Sequence, residues 1–235
     1  MVTIALIDAD SMCYAAGSME TWNEASTVLE SYVRDCVSVP RCDSYEMYVE
    51  PIQGGANFRR HVAVSRPYKG NRAGRSKPHL WGDAKRCLIE EYGAHVVYYM
   101  ESEDAVRIRA NELGIPNVVM CCIDKDLYQQ YGAFYNFKTG QRSVVSPENA
   151  RHKFWRQMVT GDSTDNIPGI PNAGPSAFEA IAAECEDIPR AVLSMYADKG
   201  LPYSYVLEQG RLLHILTKRN EVWIPPMTEE EYNGL

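Results

Sequence analysis

Four strand-like runs, three of them strongly apolar and each leading into a carboxylate, restrict the folds open to this chain. Thr3 to Ile7 (TIALI) meets Asp8, and Tyr45 to Glu50 (YEMYVE) ends on Glu50. Ala94 to Met100 (AHVVYYM) meets Glu101, and Asn117 to Ile123 (NVVMCCI) meets Asp124. Short runs rich in Val and Ile read as strands, and unbroken apolarity suits strands covered on both faces. Helical patterns separate them, over Trp22 to Val37, Trp81 to Tyr92 and Ser102 to Leu113. That alternation predicts an α/β fold with a mainly parallel sheet flanked by helices. Ligands of such sheets bind beyond the carboxyl ends of the strands, which is where these acids fall. A further strand is expected over Phe58 to Val64, after a turn at Gln53-Gly54-Gly55.

Beyond Gly140 the pattern becomes mainly helical. Helices are expected over Pro147 to Thr160, Ser176 to Ala183, Ile188 to Lys199 and Tyr203 to Asn220. The organisation that follows is a sheet-bearing part over residues 1–145 and a helical part over 146–235.

Charge is unevenly distributed. From Pro51 to Leu80 there is no Asp or Glu, while Arg59, Arg60, Arg66, Lys69, Arg72, Arg75 and Lys77 all fall there. The net charge of −7 thus divides into +7 in this stretch and −14 elsewhere. One surface that grips a polyanion and another that binds cations would account for the division. The seven cysteines are odd in number, irregularly spaced and without a CxxC pair, which excludes a regular zinc cage or disulfide framework. A reduced, cytoplasmic setting is expected. No apolar run is long enough to cross a bilayer, so no membrane partner is expected.

The acids form four groups: Asp8 with Asp10; Glu101, Glu103 and Asp104 (MESEDA); Asp124 with Asp126 (IDKD); and Asp162 with Asp165 (GDSTD). Taken singly, each has a structural explanation. Ser102 is a plausible N-cap whose helix Glu103 and Asp104 would favour, and Asp162 or Ser163 can open a turn. Capping does not, however, require acids after successive strands of one sheet. Phosphodiester hydrolysis does, because two hard cations roughly 4 Å apart activate water, shield the phosphate and stabilise the leaving oxygen. Mg²⁺ and Mn²⁺ prefer carboxylate and water ligands. Tyr68-Lys69-Gly70-Asn71-Arg72 offers a stacking face, two cations and a glycine for close phosphate approach. Gly161 to Gly174 (GDSTDNIPGIPNAG) is a compact loop whose N–H groups, with the helix opening near Pro175, suit a phosphate oxygen. Such a helix–loop–helix binds duplex backbone without reading bases.

At these residues the chain resembles the 5′ nuclease family of flap endonucleases, polymerase-linked 5′ nucleases and bacteriophage 5′ exonucleases. The matching elements are LIDAD at Asp8, YKGNR at Tyr68 to Arg72, ESED at Glu101 to Asp104, CIDKD at Asp124 and Asp126, and GDSTDNIPGIPNAGP at Gly161 to Pro175. The resemblance implies a PIN-like core and a helical part with a helix–three-turn–helix motif. It also implies an arch over about residues 66–93 with Lys69 and Arg72 at its base, and Tyr68 stacked near the reacting nucleotide. Two Mg²⁺ or Mn²⁺ ions on Asp8, Glu101, Glu103, Asp104, Asp124, Asp126, Asp162 and Asp165 are implied, with K⁺ in the loop. The family often has an Asp after its second strand; Glu50 stands there here. Arg59, Arg60, Arg66, Arg75, Lys77, Gly169, Gly174 and Ser176 are the expected DNA contacts. The implied activity is 5′→3′ exonuclease with flap endonuclease action on DNA ends and flaps, RNA–DNA hybrids being a further substrate. A PIN-type ribonuclease and a DNA-structure-binding protein without catalysis are the alternatives. A nucleotide-binding doubly wound domain is disfavoured, since no Gly-rich phosphate loop follows the first run.

Overall fold

The computed structural model describes residues 2–235, arranged as two compact units. The first comprises Met1–Asn57, Arg75–Pro147 and Ile215–Arg219. The second comprises Phe58–Gly74, Glu148–His214 and Asn220–Leu235.

The first unit is built on a six-stranded sheet. Its strands are β1 (Ile4–Asp8), β2 (Ser44–Val49), β3 (His95–Val96), β4 (Val118–Cys121), β5 (Gly132–Asn136) and β6 (Gln141–Val145). They lie in the order β3-β2-β1-β4-β5-β6, all neighbours parallel except the antiparallel pair β5–β6. Parallel neighbours need crossovers. Helices α1 (Asp10–Gly17) and α2 (Trp22–Ser38) carry the chain from β1 to β2. Between β2 and β3 come α3 (Phe58–Val62), a member of the second unit, and α4 (Trp81–Glu90); α5 (Ser102–Leu113) leads to β4. In α2, Ala25, Leu29, Val33 and Cys36 recur at helical spacing and are buried with Ala5 and Ile7 of β1 and Ala84 and Leu88 of α4. A capping box of Thr21 and Glu24 starts that helix.

The second unit is helical, with α6 (Pro147–Thr160), α7 (Pro175–Glu184), α8 (Ile188–Asp198), α9 (Tyr203–Leu213) and α10 (Glu229–Asn233). Phe154, Met158, Val192, Leu193, Tyr196, Val206 and Leu213 are among its core residues. Among the described residues no helix is long and apolar enough to cross a membrane. All seven cysteines are free thiols.

Several expected elements are corrected. Phe58 to Val64 is not a strand, because its first five residues form α3. Arg59 on that helix is 1% exposed, with its guanidinium on the carbonyls of Leu212 and His214 at 2.9 and 2.8 Å. The ladder of the third run shrinks to His95–Val96; farther on, Tyr99 adopts φ 65 and makes an isolated parallel bridge with Asn57. The helix expected to reach Asn220 stops at Leu213. The chain there turns away to give its Ile215 N–H to Gln129 Oε1 at 3.2 Å and its Leu216 N–H to Asp104 Oδ1 at 2.9 Å. The β5–β6 hairpin and α1 were not anticipated. The hairpin closes through Asn136, whose side chain accepts from the N–H groups of Lys138 and Thr139 at 3.0 Å each, and through Gly140 at φ 71.

Candidate active site

In the sheet unit, parallel strands bring three of the expected acids to one edge. Asp8 ends β1, Glu50 follows β2, and Asp124 lies three residues beyond β4; the registers Asp8↔Tyr48 and Ile7↔Cys121 fix this alignment. Asp8 is 7% exposed, and the Ser102 hydroxyl donates to its Oδ1. Burial drives the Asp8 carboxyl up to about 7. The charges of Asp10 and Asp124 push the same way, against the lowering hydrogen bond from Ser102. Burial, then the charges of Asp8, Asp124 and Glu103, hold the Cys122 thiol well above its ordinary range. Asp8, Glu103 and Asp124 therefore act on one neighbourhood.

Glu101 is 4% exposed, caps α5 and accepts from Asn57 Nδ2 at 3.0 Å. The N-cap is thus Glu101 rather than Ser102, and the serine is free to bind Asp8. Asp104 is fully buried. Its Oδ2 accepts the Glu101 N–H at 3.0 Å and its Oδ1 the Leu216 N–H at 2.9 Å. Both oxygens accept from the backbone, so this side chain braces α5. Asp124 is exposed, and its Oδ1 accepts the Asp126 N–H at 2.9 Å. Glu50 contributes its backbone: its N–H binds Asp10 Oδ2 at 2.8 Å and its carbonyl accepts from Lys85 at 2.9 Å.

Among the described residues no three His, Cys, Asp or Glu side chains form a ready-made ligand set for one ion. The donor chemistry nevertheless fits hard cations. The acids around Asp8 are oxygen donors, and a carboxyl held near 7 by burial and like charge is one that a nearby divalent ion would discharge. The consequence is measurable. Asp8 is protonated in the folded chain up to about pH 7 but ionised in the unfolded chain above about pH 4. A raised carboxylate value means stability present at low pH and lost as pH rises between those limits. In EDTA the melting temperature should therefore fall from pH 5 to pH 8, less so in Asp8→Asn, and Mg²⁺ or Mn²⁺ should restore it at pH 8. Equal pH slopes in the two proteins, read by circular dichroism, would remove Asp8 as the cause.

In the helical unit the basic pentapeptide lies on the glycine-rich loop. Asp165 is the hub: Oδ1 accepts from Arg72 at 2.6 Å, and Oδ2 takes the Tyr68 hydroxyl at 2.7 Å with Lys69 Nζ at 3.7 Å. Asn71 Nδ2 donates to the Ser163 carbonyl at 2.6 Å, and Asn166 Nδ2 to that of Pro67 at 2.9 Å. Asp162 Oδ1 accepts the N–H groups of Thr164 and Asp165 at 2.7 and 3.3 Å, a turn of its own making. Asp162 and Asp165 are thus engaged within the loop.

Three expected contacts change. Tyr68 is 5% exposed and packed into the unit's core, so its ring has no open face for stacking on a base. Arg59 is interior. The Gly169 N–H is taken by Gln209 Oε1 at 3.0 Å, which leaves it nothing to give a phosphate. Arg60, Arg66, Arg72, Arg75, Lys77 and Ser176 are exposed, and Gly174 is the N-cap of α7. Lys77 stands with its ammonium 3.3 Å from the centre of the Trp81 ring. The reading from sequence missed Ser102, Asn57 and Lys85. Only Lys85 left a signal, as a cation at the i+4 position from Trp81 on the apolar stripe of α4.

No family model and no curated protein matches the chain. Solved structures do. The T5 5′-exonuclease with bound zinc aligns at TM-score 0.69 and 14% identity, over 90% of this chain and 89% of that one. The bacteriophage T5 flap endonuclease variant with DNA and metal ions gives 0.68 at 15% identity, over 88% and 89%. The catalytic core of Rad2 with DNA substrate gives 0.54 at 13%, over 83% of this chain and 61% of that one. The fold is therefore that of the 5′ nucleases, a mainly parallel PIN-like sheet flanked by helices. Among those compared, the two T5 structures align with this chain over nearly their whole length.

Proposed function

We propose that this chain is a metal-dependent 5′→3′ exonuclease on DNA, with structure-specific flap endonuclease activity. The observation that carries the proposal is the register of three parallel strands, which aligns Asp8 at the end of β1 with Glu50 just beyond β2 and Asp124 just beyond β4. Asp8, Glu101, Glu103, Asp124 and Asp126 are the residues assigned to two Mg²⁺ or Mn²⁺ ions. Bound there, such ions would supply an activated water and charge shielding for the phosphodiester. Asp104 holds the helix that carries Glu101 and Glu103. Ser102 fixes the orientation of Asp8. Asp162 and Asp165 are assigned to positioning, since their oxygens set the loop and the two basic side chains. Lys69 and Arg72 bind phosphate as a spherical charge and a planar fork respectively. Gly174 and Ser176, at the exposed start of α7, offer backbone N–H groups and a helix dipole to duplex backbone, with K⁺ assigned to the same loop. Arg60, Arg66, Arg75 and Lys77 supply sequence-independent attraction, which falls steeply with salt. RNA–DNA hybrids are included as substrates.

Digestion of a 5′-labelled duplex and a 5′-flap substrate in Mg²⁺, in Mn²⁺ and in EDTA tests this. Short labelled products in either metal, and none in EDTA, are expected. Preferential cleavage of RNA of the same sequence would make the chain a ribonuclease, and flap binding without cleavage in any metal would make it a binding protein.

A further inference from the structure

The acid edge of the sheet unit contains a cation. Lys85 is 1% exposed on the inner face of α4. Its ammonium is ion-paired with Asp10, donates to the Glu50 carbonyl at 2.9 Å, and lies 4.4 Å from the centre of the Trp81 ring. A buried ammonium is tolerated only when paired and hydrogen-bonded, and this one has a carboxylate, a carbonyl and a π-face. Asp10 is occupied on both sides. Oδ1 faces Lys85, while Oδ2 accepts the Glu50 N–H at 2.8 Å and lies 3.5 Å from the Ser102 hydroxyl. That hydroxyl binds Asp8, so Ser102 stands between the Lys85–Asp10 pair and Asp8.

We propose that Lys85 is a resident cation of the metal site. It supplies the positive charge at the Asp10 and Glu50 end, locks the turn after β2, and confines divalent ions to the Asp8, Glu103 and Asp124 side. This rests on the reading of the edge as a divalent-metal site. Asp10 is then a positioning residue and not a ligand. Removing the ammonium would leave the partly buried Asp10 carboxylate beside a backbone carbonyl, an all-oxygen pair suited to a hard cation.

Mn²⁺ binding without DNA, counted by calorimetry and by the electron paramagnetic resonance of free Mn²⁺, tests the inference. Lys85→Met should bind one more ion per chain than the natural protein, or bind Mn²⁺ at least tenfold more tightly. Lys85→Arg should match the natural protein. Asp10→Asn, which keeps one oxygen for the ammonium but loses the charge and the acceptor of the Glu50 N–H, should leave the number of ions unchanged while weakening their affinity. If Lys85→Met folds only in Mn²⁺, the extra ion is taking the place of the ammonium. If it does not fold at all, Asp10→Asn decides alone. Identical binding by Lys85→Met and the natural protein, or loss of an ion in Asp10→Asn, would overturn the assignment. A natural protein that binds no Mn²⁺ would instead overturn the metal reading itself, and cleavage assays run separately keep the two failures apart.

Discussion

Replacing Asp124 by alanine is expected to reduce cleavage of 5′-labelled DNA by at least about a hundredfold, with only a small change in melting temperature. The side chain is exposed, and its Oδ1 accepts the Asp126 N–H at 2.9 Å. Losing that hydrogen bond costs stability on the order of 1 kcal/mol. A metal ligand lost from a two-ion site removes several kcal/mol of transition-state stabilisation, and each ~1.4 kcal/mol is tenfold in rate. Asp104→Ala should behave in the opposite sense. It strips the acceptor from the Glu101 and Leu216 N–H groups inside a fully buried pocket. Two orphaned donors cost about 3 kcal/mol together, which in a chain of this size lowers the melting temperature by roughly 6–12 °C. Thermal denaturation and initial cleavage rates on the same preparations separate the two cases. Full turnover in Asp124→Ala would reject it as a metal residue, and a native melting temperature in Asp104→Ala would reject the bracing role.

The contrast shows where sequence is informative. Val- and Ile-rich runs mark the central strands β1 and β4, because burial on both faces leaves a mark on nearly every residue there, whereas β2 is only partly buried. Ser102–Leu113 and Pro147–Thr160 are readable to the residue, since apolar periodicity and terminal residues agree there. The bound at Leu213 is not, because a pair of hydrogen bonds reaching 86 and 112 residues away decides it. For the site, residue type in order singles out the acids but cannot say which way they point. Asp104 and Asp124 have the same chemistry in sequence, and only packing sets one inside a helix cap and the other in solvent. Arg59 and Tyr68 show the same limit in the basic stretch. Charge and aromaticity suggest a nucleic-acid surface, yet two of its members stabilise the interior. Lys85 escaped notice because a lysine among charged neighbours reads as solvated.

Gly161→Ala is expected to be among the most damaging single-methyl changes available to this chain. Gly161 sits at φ 67, and an added Cβ would stand 2.2 Å from the Ile167 carbonyl oxygen and 2.5 Å from the Pro168 carbonyl carbon. Both are backbone atoms, so no side chain can swing aside. Gly169 on the facing segment is equally crowded, its Cβ falling 2.2 Å from the Gly161 nitrogen. The segments cannot separate to make room. Asp162 and Ile167 exchange paired backbone bonds of 2.8 Å, and Gly169 is held by Gln209 through its N–H and by the Tyr205 hydroxyl through its carbonyl. The left-handed conformation alone costs about 1–2 kcal/mol for a residue with a Cβ; with the clash the loss should exceed roughly 3 kcal/mol. Gly174→Ala is the matched control. Its φ is −111, nothing lies within 4 Å of an added Cβ, and the expected change is under about 0.5 kcal/mol. Duplex affinity, measured below both melting temperatures, then separates architecture from contact. If the loop grips the duplex through its shape, Gly161→Ala binds weakly even while folded. A Gly161→Ala protein with native melting temperature and native affinity would mean that the two glycines do not pack back to back. Loss of affinity in a fully stable Gly174→Ala protein would instead locate the phosphate contact at the first turn of α7, where the methyl is added.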